Sequence, residues 1–95
     1  MAAYAILHID IHDPAVYAEY VKLAPATVEQ YGGSYVVRGG KYETTEGEWN
    51  PQRVVVLAFD SAEQAKRWWD SPEYRPAREM RQRASNSKMM IVEGV

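Results

Sequence analysis

Residues 3–12 read Ala-Tyr-Ala-Ile-Leu-His-Ile-Asp-Ile-His, and their alternation decides the fold. Ala5, Leu7, Ile9 and Ile11 fall on one side; Tyr4, Ile6, His8, Asp10 and His12 fall on the other. A period of two over this length predicts a strand with one wholly apolar face. Such a face has to be covered, so the rest of the chain must supply helices and partner strands.

The next segment supplies the first helix. Asp13-Pro14 is a helix start, with Asp as N-cap and Pro at the first helical position. Tyr17, Tyr20, Val21, Ala24, Val28 and Tyr31 follow at helical spacing and make one apolar stripe. Pro25 should kink or restart this helix, because it removes a backbone donor. Gly32-Gly33 ends it by allowing a left-handed C-cap.

Ser34–Arg38 is a second strand closed by Gly39-Gly40, and a polar stretch from Lys41 to Gln52 leads to a third, Arg53–Phe59. Ser61 and Gln64 form a capping box for a helix carrying Ala65, Trp68 and Trp69. Asp70-Ser71-Pro72 breaks that helix and restarts it, with Ser71 capping a run to about Ala84. Lys88–Glu93 is the closing strand. The order β-α-β-β-α-β predicts a ferredoxin-like α+β fold, an antiparallel four-stranded sheet with its helices on one face.

Ninety-five residues fit one domain spanning 1–95. A chain this short buries only about 60–65% of the surface its unfolded form exposes. The sheet face opposite the helices, with Tyr4 and Ile6, is too large and apolar to leave in water. Pairing that face with a second copy gives a dimeric α+β barrel, whose interior would hold His8 and Asp10. A homodimer is therefore the expected partner state.

The absence of cysteine excludes disulfides, thiolate nucleophiles and Cys-based metal sites. No apolar run approaches the ~20 residues that span a bilayer, and the first residues lack the basic region of a signal peptide. A cytoplasmic location without membrane contact is the default expectation. The net charge of −2 offers no global attraction to nucleic acid. RNA-recognition domains share this topology, but they need several stacking aromatics on the central strands, and Arg53–Phe59 offers one. The cluster Arg75, Arg78, Arg81 and Arg83 reads as a solvated helix face.

Three groups of residues could carry chemistry. On the first strand, His8, Asp10 and His12 share one side, spaced by about 7 Å, so all three cannot chelate one metal although two neighbours could. His8 is either the candidate catalytic group, a proton carrier near neutral pH, or a hydrogen-bonded histidine of the dimer interface, and Asp10 is its polar neighbour. In the second group, Arg38 and Arg53 could grip one carboxylate or phosphate. Glu46 either joins that site or pairs with one of the arginines as a salt bridge. Trp49 either caps a pocket or pins its loop to the sheet. In the third group, adjacent Trp68 and Trp69 point in different directions, so one packs in the core. Tyr74 lies either on a pocket rim or in the core. The candidate ligand-binding set is thus Asp10, Arg38, Glu46, Trp49, Arg53 and Tyr74, with no metal and no cofactor expected.

The stretches YGGSYVVRGG, EGEWNPQRVVVLAF, WWDSPEYRP and DPAVYAEY together resemble the domain of unknown function 1330 family over nearly the whole chain. That resemblance implies a dimeric α+β barrel and no established activity. Related barrel families include cofactor-free monooxygenases of aromatic polyketides, haem-degrading and haem-using enzymes, and muconolactone isomerase. The family pattern carries an acid where this chain has Ala58, so that carboxylate is unavailable here. The expected function is small-molecule binding in the barrel cavity. One form is a cofactor-independent enzyme acting on a small anionic or aromatic metabolite. The other is a non-catalytic ligand-binding or sensing homodimer.

Overall fold

The computed structural model describes all 95 residues and orders them as a four-stranded sheet with three helices. The strands are β1 (Ala3–Ile11), β2 (Ser34–Arg38), β3 (Arg53–Phe59) and β4 (Ser85–Glu93). Their spatial order is β2-β3-β1-β4, with every neighbouring pair antiparallel. The apolar row of β1 is the floor of the core: Ala5, Leu7 and Ile9 are buried, joined by Val55, Leu57 and Phe59 of β3.

Helix α1 (Pro14–Gln30) lays Tyr17, Tyr20, Ala24 and Val28 onto that floor. The Asp13 carboxylate accepts from the Val16 N–H at 3.2 Å, the expected N-cap. The helix runs unbroken through Pro25, so the expected restart does not occur. Burial of Ala24, Thr27 and Val28 around the proline holds the turn against its local preference. Gly32 then takes a left-handed φ of 75° just past the end.

Helix α2 (Ala62–Asp70) starts with half of the expected capping box. Ser61 Oγ accepts from the Gln64 N–H at 3.1 Å, but the Gln64 side chain donates to the Tyr31 carbonyl at 2.7 Å. The second half of the box is exchanged for a tie between α2 and the end of α1. Ser71 closes α2 by donating to the Trp68 carbonyl and opens the next turn by accepting from the Tyr74 N–H. Regular helix resumes as α3 (Arg75–Ala84). Of the adjacent tryptophans, Trp68 is the core residue; its ring stacks on Tyr74 at 4.1 Å and tilts against Phe59 at 5.5 Å.

The arginine cluster is not one solvated face. Arg75 and Arg83 are exposed, but Arg81 is only 3% exposed, donating to the Tyr74 hydroxyl and to Ser87 Oγ. Arg78 lies over the Trp69 ring at 4.1 Å and donates to the Trp69 carbonyl. β4 begins at Ser85, three residues before the expected start, because Ser85, Asn86 and Ser87 pair with Ile11, Asp10 and Ile9 of the long first strand. A template strand overrides the weak strand preference of these polar residues.

Candidate functional site

The sheet face away from the helices is built by register. On β1 it carries Tyr4, Ile6, His8 and Asp10; opposite them β4 places Val92, Met90, Lys88 and Asn86. On the other flank, Ala58, Val56 and Val54 of β3 face Tyr4, Ile6 and His8. Cross-strand partners share a face, so the surface divides into an apolar half and a polar half. Met90 is 61% exposed and Val36 58%, which leaves the apolar half uncovered in a single chain.

His8 is the hinge between the halves, and both of its ring nitrogens are engaged. Nε2 lies 3.0 Å from Asp10 Oδ2, and Nδ1 lies 3.2 Å from the Trp49 indole nitrogen. Indole N–H can only donate, so Nδ1 carries the lone pair and Nε2 carries the proton given to Asp10. The second Asp10 oxygen accepts from the Gln52 backbone N–H at 2.9 Å, and Gln52 Oε1 accepts in turn from Ile11 N–H at 2.7 Å. The Gln52 N–H first, and His8 second, hold the Asp10 carboxyl below its ordinary range. A neutral, oriented imidazole beside a firmly ionised carboxylate is the result.

The loop between β2 and β3 carries Trp49 back over the sheet. Tyr42 donates to the Pro51 carbonyl at 2.6 Å and Thr44 to the Trp49 carbonyl, fixing the ends of the approach. Under this loop is a hollow of about 430 Å³ whose walls include Val37, Val54, Tyr42, Glu46 and Trp49. On the other flank of His8 lies a shallow hollow of about 330 Å³, lined by His8, Asp10, Asn86 and Lys88 with no apolar residue among its walls.

Three of the expected site residues, His8, Asp10 and Trp49, therefore come together, and Glu46 borders the adjoining hollow. Glu46 is exposed and makes neither of the expected salt bridges, since the three ion pairs of the chain are His8–Asp10, Lys22–Glu19 and Arg78–Asp70. Arg38 and Arg53 are elsewhere. Arg53 pairs with Ile9 and so faces the helices, where its guanidinium lies 5.8 Å from the Tyr17 ring centre. A bulge at Val36 shifts the register, so Arg38 pairs with Val55 and faces the helices too. The expectation that these arginines share a cavity with His8 is corrected by this geometry. Tyr74 is corrected as well: it is 0% exposed, and its hydroxyl sits 3.0 Å from that of Tyr20 in the core. Gln52, Asn86 and Lys88 were not singled out from the sequence. Lys88 had a signal, since it shares the alternating row of Met90 and Val92.

A family described as a domain of unknown function, DUF1330, matches residues 2–95. The chain belongs to the DUF1330 family. Among solved structures, this DUF1330 chain is similar to RPA0582, a protein of unknown function from Rhodopseudomonas palustris. The TM-score is 0.77 at 18% identity, covering 99% of this chain and 82% of that one. It is similar to SnoaB, a cofactor-independent oxygenase from Streptomyces nogalater, with a TM-score of 0.67 at 14% identity, covering 99% and 93% of the two chains. A dimeric ferredoxin-like protein of unknown function from Jannaschia sp. CCS1 gives 0.68 at 10% identity, covering 99% and 100%. At such identities the likeness is one of fold. No curated protein matches the chain by sequence.

Proposed function

We propose that this DUF1330 chain works as a homodimer that holds a small molecule over the open sheet face, beside His8, without an organic cofactor. The observation that carries this reading is the His8 imidazole held between Trp49 and Asp10, with a hollow on either side. The apolar half of the face, around Ile6, Val56 and Met90, is the surface a second copy would cover. Its cover would turn the flanking hollows into an enclosed cavity. A ligand hydroxyl or carboxyl that displaces the Trp49 N–H meets the Nδ1 lone pair, a proton acceptor whose ring is oriented by Asp10. Lys88, opposite His8 in register, supplies positive charge for an anionic ligand. The oxygenase activity stated for SnoaB, which shares this fold, is compatible with such cofactor-free chemistry.

A non-catalytic binding role is the second reading, and one observation favours it. The Trp49 N–H occupies the Nδ1 lone pair, so the resting site holds no free base. The test is a titration of 15N-histidine-labelled protein with salicylate, 1,4-naphthoquinone and pyruvate, followed by mass analysis of the recovered compound. Saturable shifts of the His8 ring that vanish in His8→Ala support the site, and a changed mass makes it an enzyme while an unchanged mass makes it a binder. Saturable binding that survives His8→Ala unchanged, or no binding by any of the three, counts against the reading.

A further inference from the structure

The two arginines that the register turns away from His8 meet at a separate corner, under α1 on the reverse side of the sheet. Arg38 ends β2 with its guanidinium 4.6 Å from the Tyr35 ring centre, and Arg53 starts β3 over Tyr17. Both line one cavity of about 20 Å³, together with Tyr17, Tyr20 and Tyr35. Two like charges on diagonal positions of neighbouring strands repel one another unless something negative lies between them. No carboxylate is within 4.0 Å of either.

One donor at this cavity has no acceptor. Arg53 Nε is buried and has no hydrogen-bond partner, the only such side-chain atom in the chain. A buried charged donor left unpaired costs more than a neutral one. Arg81 donates to the Tyr74 oxygen, and Tyr74 and Tyr20 share a hydrogen bond that either hydroxyl can donate. Burial keeps the Tyr17, Tyr20 and Tyr35 phenols in their protonated, donating form. The backbone is shaped around the guanidinium as well. Gly39 has a φ of +67°, and a Cβ there would run into Arg53 Nη1.

We propose that this corner is an oxyanion site for a carboxylate or a phosphate monoester. One oxygen enters the cavity, which has room for a single water-sized group, and takes the Arg53 Nε–H. The rest of the head group lies outside against the exposed Arg38 guanidinium, whose planar fork suits either anion. The body of the ligand then projects from the β2 edge into solvent. This site is independent of the one at His8: Arg53 and Val54 are neighbours in β3 but point to opposite faces.

The experiment follows the Arg53 Nε–H resonance of 15N-labelled protein during addition of sodium phosphate, and separately of sodium acetate, at constant ionic strength in a chloride buffer. The expected result is a saturable shift at millimolar anion. Response to phosphate alone assigns a phosphate monoester, and response to acetate alone assigns a carboxylate. Arg38→Gln, at an exposed strand end, should weaken the response roughly tenfold or more, while Lys88→Gln on the opposite face should leave it unchanged. A shift that only grows linearly overturns the proposal. So does saturable binding that Arg38→Gln leaves intact or that Lys88→Gln abolishes.

Discussion

The Trp49 indole N–H donates to Nδ1 of His8 at 3.2 Å, a contact between residues forty-one apart in sequence. It fixes the imidazole as the Nε2–H tautomer, because indole cannot accept. Imidazole 15N spectra of the wild type should show a bare, hydrogen-bonded Nδ1 and a protonated Nε2. Trp49→Phe keeps a ring over the sheet but removes the donor, and the spectra should shift toward a mixture of tautomers. A protonated Nδ1 in the neutral wild-type ring would be incompatible with the described network.

Asp10 makes the acid limb of the stability profile predictable in sign. Its carboxyl is held below its ordinary value of 3.8 by the Gln52 N–H and then by His8. Glu73 is held below 4.5 chiefly by the Tyr31 hydroxyl, which donates to it at 2.7 Å. A lowered carboxylate contributes stability that is complete above its unfolded pKa and is lost as pH falls through the folded one. Urea midpoints should therefore drop below about pH 4. Asp10→Asn should flatten that drop in part, and adding Tyr31→Phe should flatten it further. An acid limb as steep in the double variant as in the wild type would separate these carboxylates from acid stability.

Gly39 and Gly40 form a built-in comparison. Gly39→Ala combines a left-handed φ with a clash on the Arg53 guanidinium, while a Cβ at Gly40 meets nothing within 4 Å. The first substitution should cost about 1–2 kcal/mol. The second should stay within about 0.5 kcal/mol. Equal unfolding midpoints for the two variants would mean that the turn does not hold Arg53 as described.

Tyr74→Phe probes the polar chain through the core. The substitution keeps the ring stacked on Trp68 but removes the oxygen that accepts from Arg81 and meets Tyr20. Leaving buried donors unpaired should cost about 1–3 kcal/mol in urea unfolding. A loss under about 0.5 kcal/mol would show that Arg81 does not depend on Tyr74.

The strands and helix starts were legible because local chemistry and tertiary need agree there. The period-two row of Ala5, Leu7 and Ile9 is buried as expected, and Asp13-Pro14 starts α1. The side taken by the arginines was not legible. Arg53 heads an almost wholly apolar run, so its alternation carries no parity signal, and its face is set by pairing with Ile9. Arg38 follows a bulge at Val36, and one extra residue reverses the face of every side chain after it. The polar run Ser85–Ser87 became strand only because β1 extends far enough to pair with it. The site itself was half legible. His8 and Asp10 stand two apart on one strand, which shows in the sequence, whereas Trp49 reaches them through a loop without regular structure.

In the proposed reading, the open sheet face is both the pairing surface and the site. Sedimentation velocity at micromolar concentration tests it most directly, comparing the wild type with Ile6→Asp. Ile6 lies between Val56 and Met90 at the middle of the apolar half, on the face away from the core. The expected result is a wild-type dimer and an Ile6→Asp monomer with the same circular dichroism. A wild-type monomer at that concentration, or an Ile6→Asp dimer as tight as the wild type, would contradict it.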